Sequence, residues 1–199
     1  MRRRWLLAVL CVAVLAASAG CTGTNTVSSS QLAQNATYNW GQNATVAVNA
    51  TGGQYRAVVN VTGANATQLR FSQSSQLGGA SPISVSALQF RYPNGTVTNA
   101  SALDVSQSNS AVTVGLPATA GQFAYTAPTG SRSVSLPAVV GGSYDVTLPA
   151  GMHVGLPVVS HVSPGGSRTA AVGGRVRVHW ASVAAGSTVS VQYYLFQDL

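Results

Sequence analysis

From residue 38 onward, apolar residues in this chain recur at every second position, and that period decides what it can fold into. Val46 and Val48 alternate with Thr45, Ala47 and Asn49; Tyr55, Ala57, Val59 and Val61 alternate with Gln54, Arg56 and Asn60. Successive side chains of a strand point to opposite faces, so the pattern gives strands with one buried side and no apolar stripe for a helix. Thr51, Gly52 and Gly53 part the two runs and predict a hairpin between them. Further strands are predicted at 68–71, 83–92, 111–116, 122–126 and 143–148. The clearest pair closes the chain. Val176, Val178 and Trp180 alternate with Arg175, Arg177 and His179, and then Val189, Val191 and Tyr193 with Thr188, Ser190 and Gln192. Turn signals such as Pro93-Asn94-Gly95, Pro164-Gly165-Gly166 and Gly173-Gly174 fall between the runs. Short strands about ten residues apart with such turns imply an all-β chain, an antiparallel β-sandwich or partly open barrel. All ten cations are Arg, and Lys and Glu are absent, which removes two residues that usually populate exposed helices. Trp40, Tyr55, Phe71, Phe90, Trp180 and Tyr193 are the expected core anchors, and Tyr193-Tyr194 places one ring on each side of its strand, so at least one is expected to face outward.

The N-terminus obeys different rules. Arg2, Arg3 and Arg4 precede thirteen unbroken apolar residues, Trp5 to Ala17, followed by Ser18, Ala19, Gly20 and Cys21. Thirteen falls short of the about twenty residues that span a bilayer, so the pattern is that of a secretory signal. Consecutive arginines also fit a twin-arginine signal. Ala19-Gly20-Cys21 resembles a prokaryotic lipobox, with Ser18 in place of the usual Leu, and makes Cys21 the lipidated first residue of a mature chain. Simple cleavage that leaves Cys21 a thiol is the plainer alternative. Cys11 departs with the signal, so no disulfide framework is available. The expected organisation is a signal peptide with lipobox at 1–20, a lipidated Cys21 and flexible tether at 21–36, and a single β-sandwich domain at 37–199. A spacer of fifteen residues rich in Ser, Thr, Asn and Gln would hold the body roughly 20 Å from the membrane.

Asn35, Asn43, Asn49, Asn60, Asn65, Asn94 and Asn99 each carry Ser or Thr two residues on, without an intervening Pro. With ten Asn and 41 Ser and Thr in 199 residues, chance supplies about two such motifs, so seven is an excess. They are candidate N-glycosylation sites of a secreted surface; a Thr-rich β protein also generates them through its turns.

Catalysis needs titratable groups, and few are present. Beyond the signal the acids are Asp104, Asp145 and Asp198 and the histidines are His153, His161 and His179. No Gly-x-Ser-x-Gly elbow, Walker loop or His-Glu-x-x-His occurs. The chain is therefore expected not to be an enzyme, with a hydrolase triad of Asp145, His153 or His161 and a serine as the remote alternative. The histidine spacing matches no zinc or copper pattern, and neither metal nor cofactor is expected. Arg175, Arg177 and His179 share one face of one strand and form a candidate face for an anionic partner, or else a polar face that keeps an edge soluble. Seven Arg against three Asp leave the mature chain at +4, too sparse a basic footprint for nucleic acid.

Residues 83–97 (ISVSALQFRYPNGTV), Tyr38 to Trp40 and residues 151–166 (GMHVGLPVVSHVSPGG) resemble an uncharacterised family of haloarchaeal surface lipoproteins, a domain of unknown function. Residues 176–180 and 189–195 fit its closing hairpin. The likeness covers nearly the whole chain and implies place and fold, with no activity to transfer. Members continue past the last strand into a transmembrane helix and charged tail. The sequence ends at Leu199, so anchoring is expected to fall to the lipid alone, with a truncated reading of a longer chain as the alternative. Haloarchaeal proteins are also typically acidic, whereas this chain carries +7. The expected protein is extracytoplasmic, lipid-anchored to the outer face of the cell membrane and glycosylated. Its expected role is structural or in contact with other envelope proteins or the surface layer. The alternative is an extracytoplasmic ligand-binding lipoprotein, for carbohydrate or as a transporter accessory.

Overall fold

The computed structural model describes residues 27–63, 67–74 and 78–198, and the signal, Cys21 and Asn65 lie outside them. In chain order come a single helical turn, α1 (Ser29–Leu32), then β1 (Val46–Ala50), β2 (Gln54–Thr62), β3 (Gln68–Ser74) and β4 (Ala80–Pro82). They are followed by β5 (Ser86–Arg91), β6 (Val97–Asn99), β7 (Asp104–Gln107), β8 (Val112–Gly115) and β9 (Ala120–Pro128). The last are β10 (Ser133–Pro137), β11 (Gly142–Thr147), β12 (Met152–His153), β13 (His161–Ser163), β14 (Arg168–Val172), β15 (Arg175–Val183), β16 (Thr188–Gln192) and β17 (Tyr194–Leu195). No described helix is long and apolar enough to cross a membrane.

The strands form an all-β sandwich. One layer is an eight-stranded sheet in the order β14-β15-β11-β1-β2-β9-β5-β6, and the facing strands belong to sheets β4-β3-β8-β7 and β10-β16-β13. Alternation sets the layers. Val46, Val48, Tyr55, Ala57, Val59, Val61, Phe123 and Tyr125 turn one face of the large sheet inward, while Leu69, Phe71, Val112, Val114, Val134, Leu136, Val189 and Val191 answer from the other side in one continuous core. Phe71 of β3 meets Tyr125 of β9 at 4.8 Å and Phe123 at 6.1 Å between ring centroids, so aromatic contacts bridge the layers. The predicted β1–β2 hairpin forms with Val46 opposite Val59 and Ala50 opposite Tyr55.

Three expectations change. The closing strands β15 and β16 are not a hairpin. β15 pairs with β11 and β14, whereas β16 pairs with β10 and β13 in the facing layer. Val178, Trp180 and Val183 and then Val189 and Val191 all bury in the same core, so the turn between them arches across it instead of folding back in plane. Tyr193 and Tyr194 are both buried, because the second ring lies within 6.0 Å of the His153 ring and 6.1 Å of the Phe196 ring. The part of the expected spacer that is described, residues 27–36, is packed on the body. Val27 and Leu32 enter the core, and Gln107 of β7 binds both backbone groups of Val27, accepting from its N–H at 2.9 Å and donating to its carbonyl at 2.6 Å. Ser28 caps α1 by accepting from the Gln31 N–H, and the Gln31 side chain accepts from the Ser28 N–H, a capping box written in the sequence Ser28-x-x-Gln31.

Burial pushes Tyr144 up to about 12 from an ordinary 10.0, and raises Tyr55 and Tyr125 further. A phenol whose folded value exceeds its unfolded one stabilises the fold fully below the unfolded value and loses that contribution as pH climbs to the folded one. The denaturant midpoint should therefore hold on approach to pH 10 and fall between pH 10 and 12; a midpoint unchanged through pH 12 contradicts the burial.

Candidate functional site

The large sheet has a second, outer face, and the residues that alternate away from the core populate it. Across its strands one row runs His179 (β15), Asp145 (β11), Ala47 (β1), Val58 (β2), Ala124 (β9) and Gln89 (β5), and the next runs Arg177, Thr147, Asn49, Arg56 and Thr126. Val58 and Ala124 are apolar and buried in the middle of this outward face. Their cover is residues 36–44, a segment without strand pairing that lies over them with Tyr38 and Trp40 packed edge to face at 5.7 Å. Trp40 is thus no part of the main core.

Outward side chains of the sheet hold this strap by its carbonyls. Gln89 Nε2 donates to Ala36 O at 2.9 Å, Arg56 Nη1 to Thr37 O at 3.3 Å, and Gln122 Nε2 to Trp40 O at 2.8 Å. Asn60 Nδ2 donates to Gln42 O at 3.3 Å and Ala44 O at 2.6 Å, and its Oδ1 accepts from Gln122 at 2.6 Å. Tyr38 donates its hydroxyl to Ala87 O at 2.6 Å and takes the Thr126 hydroxyl at 2.9 Å. Ala87 sits at φ 52° in a bulge of β5, where the register with β9 slips between Ser86 and Gln89. Burial pushes the Tyr38 phenol up to about 12 against the opposing pull of Thr126 and the Arg56 guanidinium.

Beside the strap the outer face stays open as a groove of about 470 Å³. It is lined by Ala47, Val48, Asn49 and Val58, by Thr37 to Asn39 and Gln42 of the strap, and by Arg56, Asp145, Thr147, Val172, Arg175 and Arg177. Three guanidinium groups thus face a single carboxylate. Arg175 spends Nε on Leu148 O at 2.6 Å and Nη2 on Ala50 O at 2.7 Å, tying together the C-terminal ends of the parallel pair β1 and β11. The two-glycine turn Gly173-Gly174, with both φ positive at 57° and 74°, carries the chain tightly from β14 into Arg175. His179 binds Asp145 Oδ1 through Nδ1 at 2.7 Å, and Arg177 Nη1 lies 3.8 Å from Oδ2. Arg177 is the most available of the three, its side chain 42% exposed and its ion pair long, a contact worth at most ~1 kcal/mol. Arg56 Nε is buried without a hydrogen-bond partner.

Of the expected anionic-partner face, Arg175 is committed to backbone, His179 to Asp145, and Arg177 alone reaches freely into the groove. Arg56 and Asp145 join it from other strands. The three histidines do not converge: His153 lies 4.2 Å from the Phe196 ring, His161 is exposed on β13, and among the described residues His179 alone meets an Asp. Among the described residues no hydroxyl bonds to His179, and no three His, Cys, Asp or Glu side chains gather as metal ligands. Asn35, Asn43, Asn49, Asn94 and Asn99 are exposed, and Asn49 lines the groove. Asn60 is half-buried with both amide hydrogens in use.

A family described as of unknown function, DUF5803, matches residues 41–199, from just before β1 through the last strand. The chain belongs to DUF5803. No curated protein is significantly similar to it. In this DUF5803 chain the match takes in both layers and the three Arg that line the groove, while residues 36–40 of the strap precede it.

Replacing Tyr38 with Phe strands Ala87 O and the Thr126 hydroxyl under the strap and should cost ~1–3 kcal/mol in chemical denaturation. The same variant should raise the Trp40 emission wavelength, since its packing partner loosens; unchanged stability and emission would show the strap is not held there.

Proposed function

We propose that this DUF5803 protein is a lipid-anchored cell-envelope protein, related to haloarchaeal surface lipoproteins, whose sandwich serves as an interaction module. The observation that carries the placement is the run of Arg2 to Arg4, thirteen apolar residues and Ala19-Gly20-Cys21 ahead of a body built from short strands. Export followed by thioether acylation of Cys21 accounts for all three parts, and two chains of lipid bind a bilayer far more firmly than one. The seven Asn-x-Ser/Thr motifs fit the same exterior, with the exposed Asn35, Asn43, Asn49, Asn94 and Asn99 as glycan acceptors. Asn60, whose amide nitrogen holds the strap, is the exception.

The groove is the contact for a partner. Acidic side chains of an envelope protein suit a groove lined by three guanidinium groups and one carboxylate, and such pairing gives orientation and rate more than raw affinity. A second reading, an extracytoplasmic binder of acidic saccharide, is supported by the groove's volume of about 470 Å³, which falls in the range of small-ligand sites.

Cys21→Ser should move the protein from the membrane fraction to the medium; a variant retained at the membrane sinks the anchor. Poly-glutamate bound by the full-length protein at low salt should bind ~10-fold more weakly to Arg177→Ala, the loss of one charge-assisted contact of ~1.5 kcal/mol. Binding indifferent to that change removes the groove from the interaction, and preference for oligogalacturonate over poly-glutamate selects the saccharide.

A further inference from the structure

Strand directions give the sandwich two poles. β1 and β11 run parallel and end together at Ala50 and Thr147, and β2 and β15 begin there. The same pole holds the turns 51–53 and 173–174, the loop 148–160, and Phe196 after β17, which pairs with β12. Five large apolar residues are exposed among the described ones: Val97, Leu156, Val158, Val172 and Phe196. Four stand at this pole, and Val97, on the β5–β6 hairpin, stands at the other. Scattered exposed apolar residues are ordinary on any surface; a grouping on one end is not.

The most exposed of them is held out by its own loop. Ser160 donates its hydroxyl to Leu156 O at 2.9 Å and accepts from the Gly155 N–H at 2.9 Å, while the Val159 N–H also reaches Leu156 O at 3.1 Å. These bonds close the loop at its base and leave Val158 at 96% exposure. Phe196, 66% exposed, rests its ring only 4.2 Å from His153 on the adjoining β12.

The chain also enters the described body at this pole. β7 runs toward it, and Gln107, its last residue, binds Val27. From Cys21 to Val27 are six residue steps, a span of at most ~20 Å even when fully extended. With the chain from Val27 onward packed on the sandwich, a lipid at Cys21 brings this pole nearest the membrane.

We infer that this pole is a membrane-docking surface, with the Leu156–Val158 loop and Phe196 seated at the headgroup boundary of a lipid bilayer. The inference rests on the lipid-anchor reading of Cys21 and adds an orientation to it: the groove on the outer sheet face stands upright beside the bilayer, with Val97 and the β15–β16 turn pointing away.

Cysteine labelling tests it on the full-length protein in intact membranes, using a membrane-impermeant maleimide. Wild type should take no label, because an acylated Cys21 has no free thiol. Val158→Cys should label at least about fivefold more slowly than Val97→Cys, as burial of an interfacial apolar site in the headgroup region requires, and the two rates should converge in detergent. A labelled wild type shows a free Cys21 thiol, and overturns the anchor and the docking with it. A silent wild type with equal rates at 158 and 97 overturns the docking alone. Protection at 158 that persists in detergent assigns the cover to protein, a second copy or another chain, and likewise overturns the bilayer.

Discussion

A backbone segment laid over a sheet without joining it must still find donors for its carbonyls, and this constraint organises the outer side of the molecule. Residues 36–44 cross strands β9, β2 and β5 out of register with their ladders. Five of their carbonyls are satisfied by side chains instead, from Gln89, Arg56, Gln122 and Asn60. Only residues with spare N–H donors on flexible stems serve, so those outward positions carry amides and a guanidinium where a solvated face would accept any polar residue. Once the segment is in place, Val58 and Ala124 are dry and the central strands β2 and β9 are buried on both sides. The groove is what remains where the cover stops.

The two-residue period made the strands legible, and most of the predicted runs appear within a residue or two, because burial of one face is a local, repeated signal. What the period could not carry was partnership. The arch from β15 to β16 and the in-plane β1–β2 hairpin look alike as sequence, two alternating runs and a short turn. They differ in whether the buried faces lie on the same side of one sheet or across a core. Val58 broke the alternation of β2 by adding an apolar residue to the polar phase, and that single exception was the trace of the strap. The polar run 27–36 concealed its order because just two side chains, Val27 and Leu32, do the packing while Gln107 supplies the rest from eighty residues away.

The candidate site was legible in one strand only. Arg175, Arg177 and His179 stood out by sharing a phase, but their roles divide. One ties strand ends, one holds Asp145, and one faces the groove. Arg56 and Asp145 come from β2 and β11, and nothing local marks them; β1, paired with β2 on one side and with β11 on the other, brings them to one groove. Charge in the groove is a property of the sheet order rather than of any motif.

The grip of Gln107 on Val27 also sets how the molecule meets a mechanical load. A pull on the N-terminal end reaches the body first through two side-chain hydrogen bonds, and then through α1 and the carbonyls of residues 36–44, before any strand ladder is loaded. These links fail one after another, like a seam, whereas β1 is clamped on both sides by β11 and β2 and yields only as a block. The peeling segment therefore acts as a sacrificial length of cord, absorbing extension while the two layers behind it keep their shape.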